Sequence, residues 1–254
     1  MRTKVFAVAA AAALIAVVTP GTASATHSWG GYHWARTSNP FTLQLGDNVD
    51  SRWDSYLTTT SNDWTGSAVL NTPIGAGLTK SPRPCKATAG RVEVCNGAYG
   101  NVGWLGIASI SISGGTHITQ GTVKVNDTYF DTATYNTPAW RNMVMCQEVG
   151  HTLGLDHQDE NFDNANLGTC MDYTSNPSTN QHPNAHDYAM LESIYAHLDS
   201  TTTIAASTPS AAPQVGNDAS SWGTEVAGSR ASGHSTYVRD FGAGNQVVTF
   251  VTWA

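Results

Sequence analysis

The chain is poor in charge, and poorest in positive charge. Only 12% of its 254 residues are charged, with 12 Lys and Arg against 19 Asp and Glu, a formal net charge of -7. So few cations form no patch for a phosphate backbone, which excludes nucleic acid as a partner. The same scarcity argues against a coiled coil. No internal repeat is visible, and the longest apolar run, Val5 to Val18, is too short to cross a bilayer. Arg2 and Lys4 precede that run and Ala23, Ser24 and Ala25 follow it, the pattern of a secretory signal peptide over residues 1–25. Its removal leaves 10 basic against 19 acidic residues, a formal -9, and a chain starting near Thr26 in a secreted, extracellular and oxidising setting with no membrane segment. Cysteine is scarce too. Four residues permit two disulfides in three pairings, and Cys85 with Cys95 would close a short loop.

What the chain has in quantity is Thr, Ser, Asn and Gly, as in a soluble domain of strands and turns. About 229 mature residues suffice for one substantial core. Phe41, Leu43 and Leu45 alternate as a strand, and Trp53, Tyr56, Leu57, Thr60 and Trp64 recur at helical spacing behind Asp50 or Ser51 as caps. Pro73 to Asn96, rich in Gly, Pro and basic residues, reads as a long loop. Val102 to Ile112 and Gly121 to Asn126 read as strands. Pro138 then starts a helix to about Leu153, and Asn184 caps another whose apolar stripe is Tyr188, Leu191, Tyr195 and Leu198. A Ser, Thr, Ala and Pro-rich linker follows at 200–218, and 219–254 is too short for its own core, so a docked strand is expected there.

The chemistry gathers in the first of those two helices. Gln147 and His151 lie four apart and share a face, with Glu148 beside them. Gly154 can end the helix in a left-handed turn and swing His157 back toward His151. A polar Gln, Glu and His on a helix apolar on two sides need buried partners, and a metal ion with its water would satisfy all three.

The run from Gln147 to His157 matches H-E-x-x-H-x-x-G-x-x-H at every fixed position but the first, where Gln147 stands. With Met171 downstream, residues 30 to 199 resemble a metzincin zinc metallopeptidase, nearest in wording to the matrixin branch. The resemblance implies an α+β catalytic domain over 26–199. It would comprise a small, twisted, mostly parallel sheet with an antiparallel edge strand, an active-site helix, a Met-turn under the metal and a C-terminal helix. It also implies one catalytic Zn²⁺ on Gln147, His151 and His157, Glu148 as general base, Tyr173 as oxyanion partner, and structural roles for Gly154 and Met171. A Cys146–Cys170 bridge would pin that turn beneath the site. An extended peptide or protein substrate would add to an edge strand, Gly121 to Asn126 or the strand before it, of a monomeric enzyme.

Gln147 leaves other readings open. A neutral amide oxygen keeps the metal's full charge but binds zinc less tightly than imidazole, so a catalytically inactive binding or inhibitory module is the alternative, and a hydrolase using another metal a third. His182 and His186, four apart, could supply a substitute ligand, though a solvated loop is the plainer setting. Asp156 could hold the ligand shell. Asp159, Glu160, Asp163 and Asp172 could take a structural Ca²⁺, but no EF-hand spacing indicates one. His27, His33, His117, His197 and His234 read as ordinary histidines. Asn126 heads a glycosylation sequon.

Overall fold

Strands supply most of the regular structure in the computed structural model, which describes residues 27–79, 83–207 and 213–254. The expected signal peptide and the middle of the expected linker lie outside the described residues. β1 (His33–Trp34), β2 (Phe41–Thr42) and β3 (Leu45–Asn48) precede α1 (Asp54–Thr65). β4 (Leu70–Asn71), β5 (Ile74–Ala76) and β6 (Val92–Gly97) come next, then two long strands, β7 (Trp104–Ser113) and β8 (His117–Asn126). One-turn α2 (Asp127–Phe130) leads to α3 (Pro138–Thr152) and α4 (Ala185–Ile194). After α5 (Ala219–Trp222) the chain runs as a meander of β9 (Thr224–Ser229), β10 (His234–Gly242) and β11 (Asn245–Trp253).

The main sheet has the order β5-β3-β6-β8-β7-β11-β10-β9, with β1 beside the start of β8, and β2 pairs separately with β4. Pairing is parallel from β5 to β8 and antiparallel from β8 to β9. The fold is therefore α+β around a mixed sheet, larger and less parallel than the sequence suggests. Neither strand expected to offer an edge does so: β8, with Gly121 to Asn126, lies between β6 and β7, and β7 is paired along its whole length with β11, from Gln246 opposite Ile112 to Trp253 opposite Trp104.

Alternation decides which face each residue joins. Ala108 and Ile110 on β7, Val123 and Val125 on β8, and Val248 and Phe250 on β11 share one core with Val144 and Val149 of α3. Trp104, Ile107, Val247 and Val251 turn the other way and meet Trp222 and Tyr237 in a second, smaller core. Residues 219–254 thus form three strands and a helical turn with apolar cover of their own, where one docked strand is expected.

Two further expectations are corrected. The stretch from Pro73 to Asn96 contains β5 and the central strand β6. Its Val92 and Val94 are buried, but between them Glu93 is buried as well, held by Arg91 Nε at 3.2 Å and by Asn48 Nδ2 at 2.7 Å. A buried ion pair in a strand hides the apolar signal. Neither Asp50 nor Ser51 caps α1, whose N-cap is Trp53; the Asp50 carboxylate instead accepts from Arg52 and Asn96. By contrast Asn184 and Asp187 form a reciprocal capping box on α4.

Candidate metal centre

The candidate site is built on α3. Thr137 caps the helix, its hydroxyl accepting from Trp140 N, and Pro138 occupies the first turn, where its missing N–H costs nothing. From Met143 to Thr152 every residue is buried. Gly150 permits the closest packing: a Cβ there would come within 2.6 Å of Met171 Sδ and 2.7 Å of the Trp64 ring. Trp64 also donates from Nε1 to Cys146 O at 3.1 Å. Met171 thus lies under the helix, and the Cys146–Cys170 disulfide joins the residues that precede Gln147 and Met171; the second disulfide is Cys85–Cys95. Gly154, at φ +96, turns the chain where a Cβ would collide with Tyr32 O. The turn carries His157 to a ring-centroid distance of 4.4 Å from His151.

Burial sets the protonation of these groups. The Glu148 carboxyl is fully buried, which pushes its pKa up to about 8 although a hydrogen bond with Thr252 opposes the rise. Burial lowers His151 to about 3, so the ring is neutral. His151 Nδ1 lies 2.9 Å from Leu155 O, which makes it the N–H donor and leaves Nε2 as a bare lone pair. Burial opposes a His157 cation too, but the carboxylates of Asp156, at 3.3 Å from Nδ1, and Glu160 more than offset it, and its pKa rises. Tyr173 stays protonated because burial raises its phenol well above the usual value, and its hydroxyl lies 2.6 Å from His157 Nε2.

The meander closes over this group. Thr252 Oγ1 lies 2.7 Å from Glu148 Oε1 and 3.0 Å from Gln147 Oε1. A hydroxyl has one proton, so Thr252 can donate to only one of these two oxygens at a time. The Phe250 ring stacks on His151 at 4.2 Å with 4° between planes. His234, at the start of β10, stacks on Tyr173 at 4.3 Å, with Nδ1 held by Ser232 O and Nε2 3.4 Å from Glu160 Oε2. An adjacent cleft of 440 Å³ touches Tyr173 and Thr252, but Gln147, Glu148, His151 and His157 are not in its lining.

The donors present suit a divalent cation. Gln147 Nε2, Glu148 Oε2 and His234 Nε2 are buried without a hydrogen-bond partner. A half-turn of the Gln147 amide would exchange its nitrogen and oxygen, pairing the nitrogen with Thr252 and giving the orphaned position an oxygen lone pair. Asp156, His157 and Glu160 bring donor atoms within 4.8 Å of one another, a set that includes neither Glu148 nor His151.

The other sequence candidates lie elsewhere. His182 pairs with Asp63 at 2.8 Å in an exposed setting, and His186 stacks on His27, so neither substitutes for a ligand. Asp159 and Asp172 bond within the loops around the Met171 turn. Asn126 is fully buried, its amide donating to Gly100 O and Trp104 O at 3.1 Å, so a sugar there would displace both bonds. His234, Phe250 and Thr252 are missed by sequence reasoning. The one signal for Phe250 and Thr252 is their alternation with Val248, which places them on a single strand face; His234, on β10, has none.

No family model matches the sequence, and no curated protein matches it. Among solved structures, the chain is similar to high choriolytic enzyme 1, a hatching-enzyme zinc protease from the medaka fish Oryzias latipes. The likeness has 8% identity and a TM-score of 0.34, and covers 65% of this chain and 94% of that one. Among the described residues no helix is long and apolar enough to cross a membrane.

Proposed function

We propose that the chain is a secreted zinc-dependent endopeptidase of metzincin type, seen here in a form shut by its own C-terminal strand. The observation that carries this reading is what Glu148 meets. Its carboxyl contacts an extended strand, β11, that lies antiparallel along β7, the position and polarity in which a peptide adds to a sheet edge. Thr252 stands where a scissile residue would meet the base.

Gln147, His151 and His157 would hold the ion, with Asp156 fixing the His157 ring through Nδ1. When bound, the ion supplies a Lewis acid that polarises the scissile carbonyl and acidifies water. Glu148, once ionised with the cover lifted, would take a proton from the attacking water and return it to the leaving amine. The Tyr173 phenol, protonated and beside His157, donates to the oxyanion.

The test uses zinc-loaded protein carrying Phe250→Ala to loosen the cover. Casein cleavage that stops on chelation, and is lost when Glu148→Gln is added, supports the peptidase. The covered edge also suits a binding module without catalysis. Stoichiometric zinc with no cleavage by the loosened variant would establish that second reading.

A further inference from the structure

Away from α3, residues separated by up to 166 positions in sequence meet at one corner of the sheet. His33 is on β1 and His117 opens β8 as its register partner, while His197 and Asp199 follow α4. Their donor atoms converge. His33 Nε2 lies 3.1 Å from His197 Nε2 and 3.5 Å from Asp199 Oδ1. His117 Nε2 and His197 Nε2 lie 3.3 Å and 3.8 Å from the same oxygen. A tetrahedral zinc ion with bonds of about 2.0–2.1 Å has donors about 3.3–3.4 Å apart; these four of the six edges straddle that value, and His33, His117 and Asp199 bring all three donor atoms within 4.8 Å of one another.

Two neighbouring contacts prepare these atoms as ligands. His33 Nδ1 is 2.9 Å from Gly31 O, which takes the proton on that nitrogen and leaves Nε2 a lone pair. That lone pair faces a carboxylate oxygen and a second imidazole nitrogen, an arrangement that a cation between them relieves. Asp199 Oδ2 accepts from Arg36 Nη1 at 2.9 Å and from Arg36 N at 3.1 Å, so Oδ1 is the oxygen left to face the histidines. Arg36 is buried and also donates to the carbonyl of His197, fixing the segment that carries two of the four donors.

We propose that His33, His117, His197 and Asp199 bind one zinc ion, separate from any ion on α3. His33, His117 and Asp199 are the three whose donor atoms lie within 4.8 Å of one another, and His197, beside two of them, is the fourth ligand that would close the site as a structural rather than a catalytic one. The ion ties the strand at the start of the described chain to the segment after α4 and to the first residue of β8. Its existence does not depend on the peptidase reading.

Zinc content of the full chain, measured by mass spectrometry after dialysis, tests this. Wild type is compared with His117→Ala and His197→Ala, two partly exposed side chains whose replacement leaves both cores intact. Each variant is expected to hold one zinc fewer per chain than wild type, whatever the occupancy at α3. Cobalt-loaded wild type minus either variant should give the intense visible bands of a four-coordinate ion. At a thousandfold excess of free zinc over Kd, the wild-type Tm should rise by about 10 °C more than that of the variants. The metal-free proteins should melt together, which shows that the substitutions act through the ion. Equal zinc content in wild type and both variants would overturn the assignment and leave a hydrogen-bonded cluster around Asp199.

Discussion

Replacing Phe250 by alanine separates the cover from the site beneath it. The ring is 1% exposed and parallel to the His151 imidazole, so truncation removes a whole aromatic side chain from the contact between β11 and α3. A buried Phe→Ala change costs about 3–5 kcal/mol. That loss falls on the shut form, because with β11 lifted the ring has already left its contacts. At about 1.4 kcal/mol per factor of ten, the lower figure raises the open fraction about 150-fold. If only the open form admits substrate, the rate scales with that fraction. Cleavage of a quenched peptide by zinc-loaded protein measures the rate, and amide exchange along β11 measures opening. The two should rise together by about two orders of magnitude. Exchange that quickens a hundredfold while cleavage stays at the wild-type level would refute the idea that β11 is what withholds the site.

Other outcomes follow from buried groups near the site. Lys124, on β8 under the meander, is 2% exposed and donates from Nζ to Asn217 Oδ1 at 2.6 Å; burial pulls its pKa from 10.5 down to about 8. The unfolded lysine holds its proton more tightly than the folded one, so this group's cost, about 3 kcal/mol, is present in full below pH 8 and fades as pH rises to 10.5. Lys124→Met should therefore be about 2 kcal/mol more stable than wild type at pH 7 after loss of the hydrogen bond, with the gap closing by pH 10.5. Denaturant titrations at the two pH values decide it, and a gap independent of pH would contradict the argument. Gly106, opposite Thr252 in the β7–β11 ladder, has no space for a side chain: a Cβ would lie 2.5 Å from Glu148 Oε1 and 2.7 Å from Val144 Cγ1. Gly106→Ala should cost about 1–3 kcal/mol in thermal melts and, in the Phe250→Ala background, cut cleavage at least about tenfold while zinc binding holds. Unchanged cleavage would show that the position of Glu148 is not critical.

The sequence discloses those parts of the molecule whose contacts are local. The turn at Gly154, the Thr137–Pro138 start of α3 and the Asn184–Asp187 box each depend on a few adjacent residues, and each is readable from them. What it conceals is the meeting of distant ones. His33, His117 and His197 carry no local signal, because each is a lone histidine until the sheet places β1 beside β8 and α4 ends next to both. Glu93 makes β6 read as loop, since its distant partner Asn48 is visible only once β3 and β6 pair. The edge of β7 looks free for the same reason: its partner β11 is more than 120 residues away, beyond a Ser, Thr, Ala and Pro-rich stretch that reads as a boundary.

In the order of synthesis, β11 comes after Gln147, Glu148, His151, His157 and Tyr173. A chain emerging from its N-terminus therefore carries every one of those groups before the strand that shields them has been made. Shielding arrives last, so a nascent or C-terminally clipped molecule has a bare sheet edge and an uncovered carboxyl group. Cleavage between α4 and β9 would take the covering strand away and leave Gln147, Glu148, His151, His157 and Tyr173 in the remaining part.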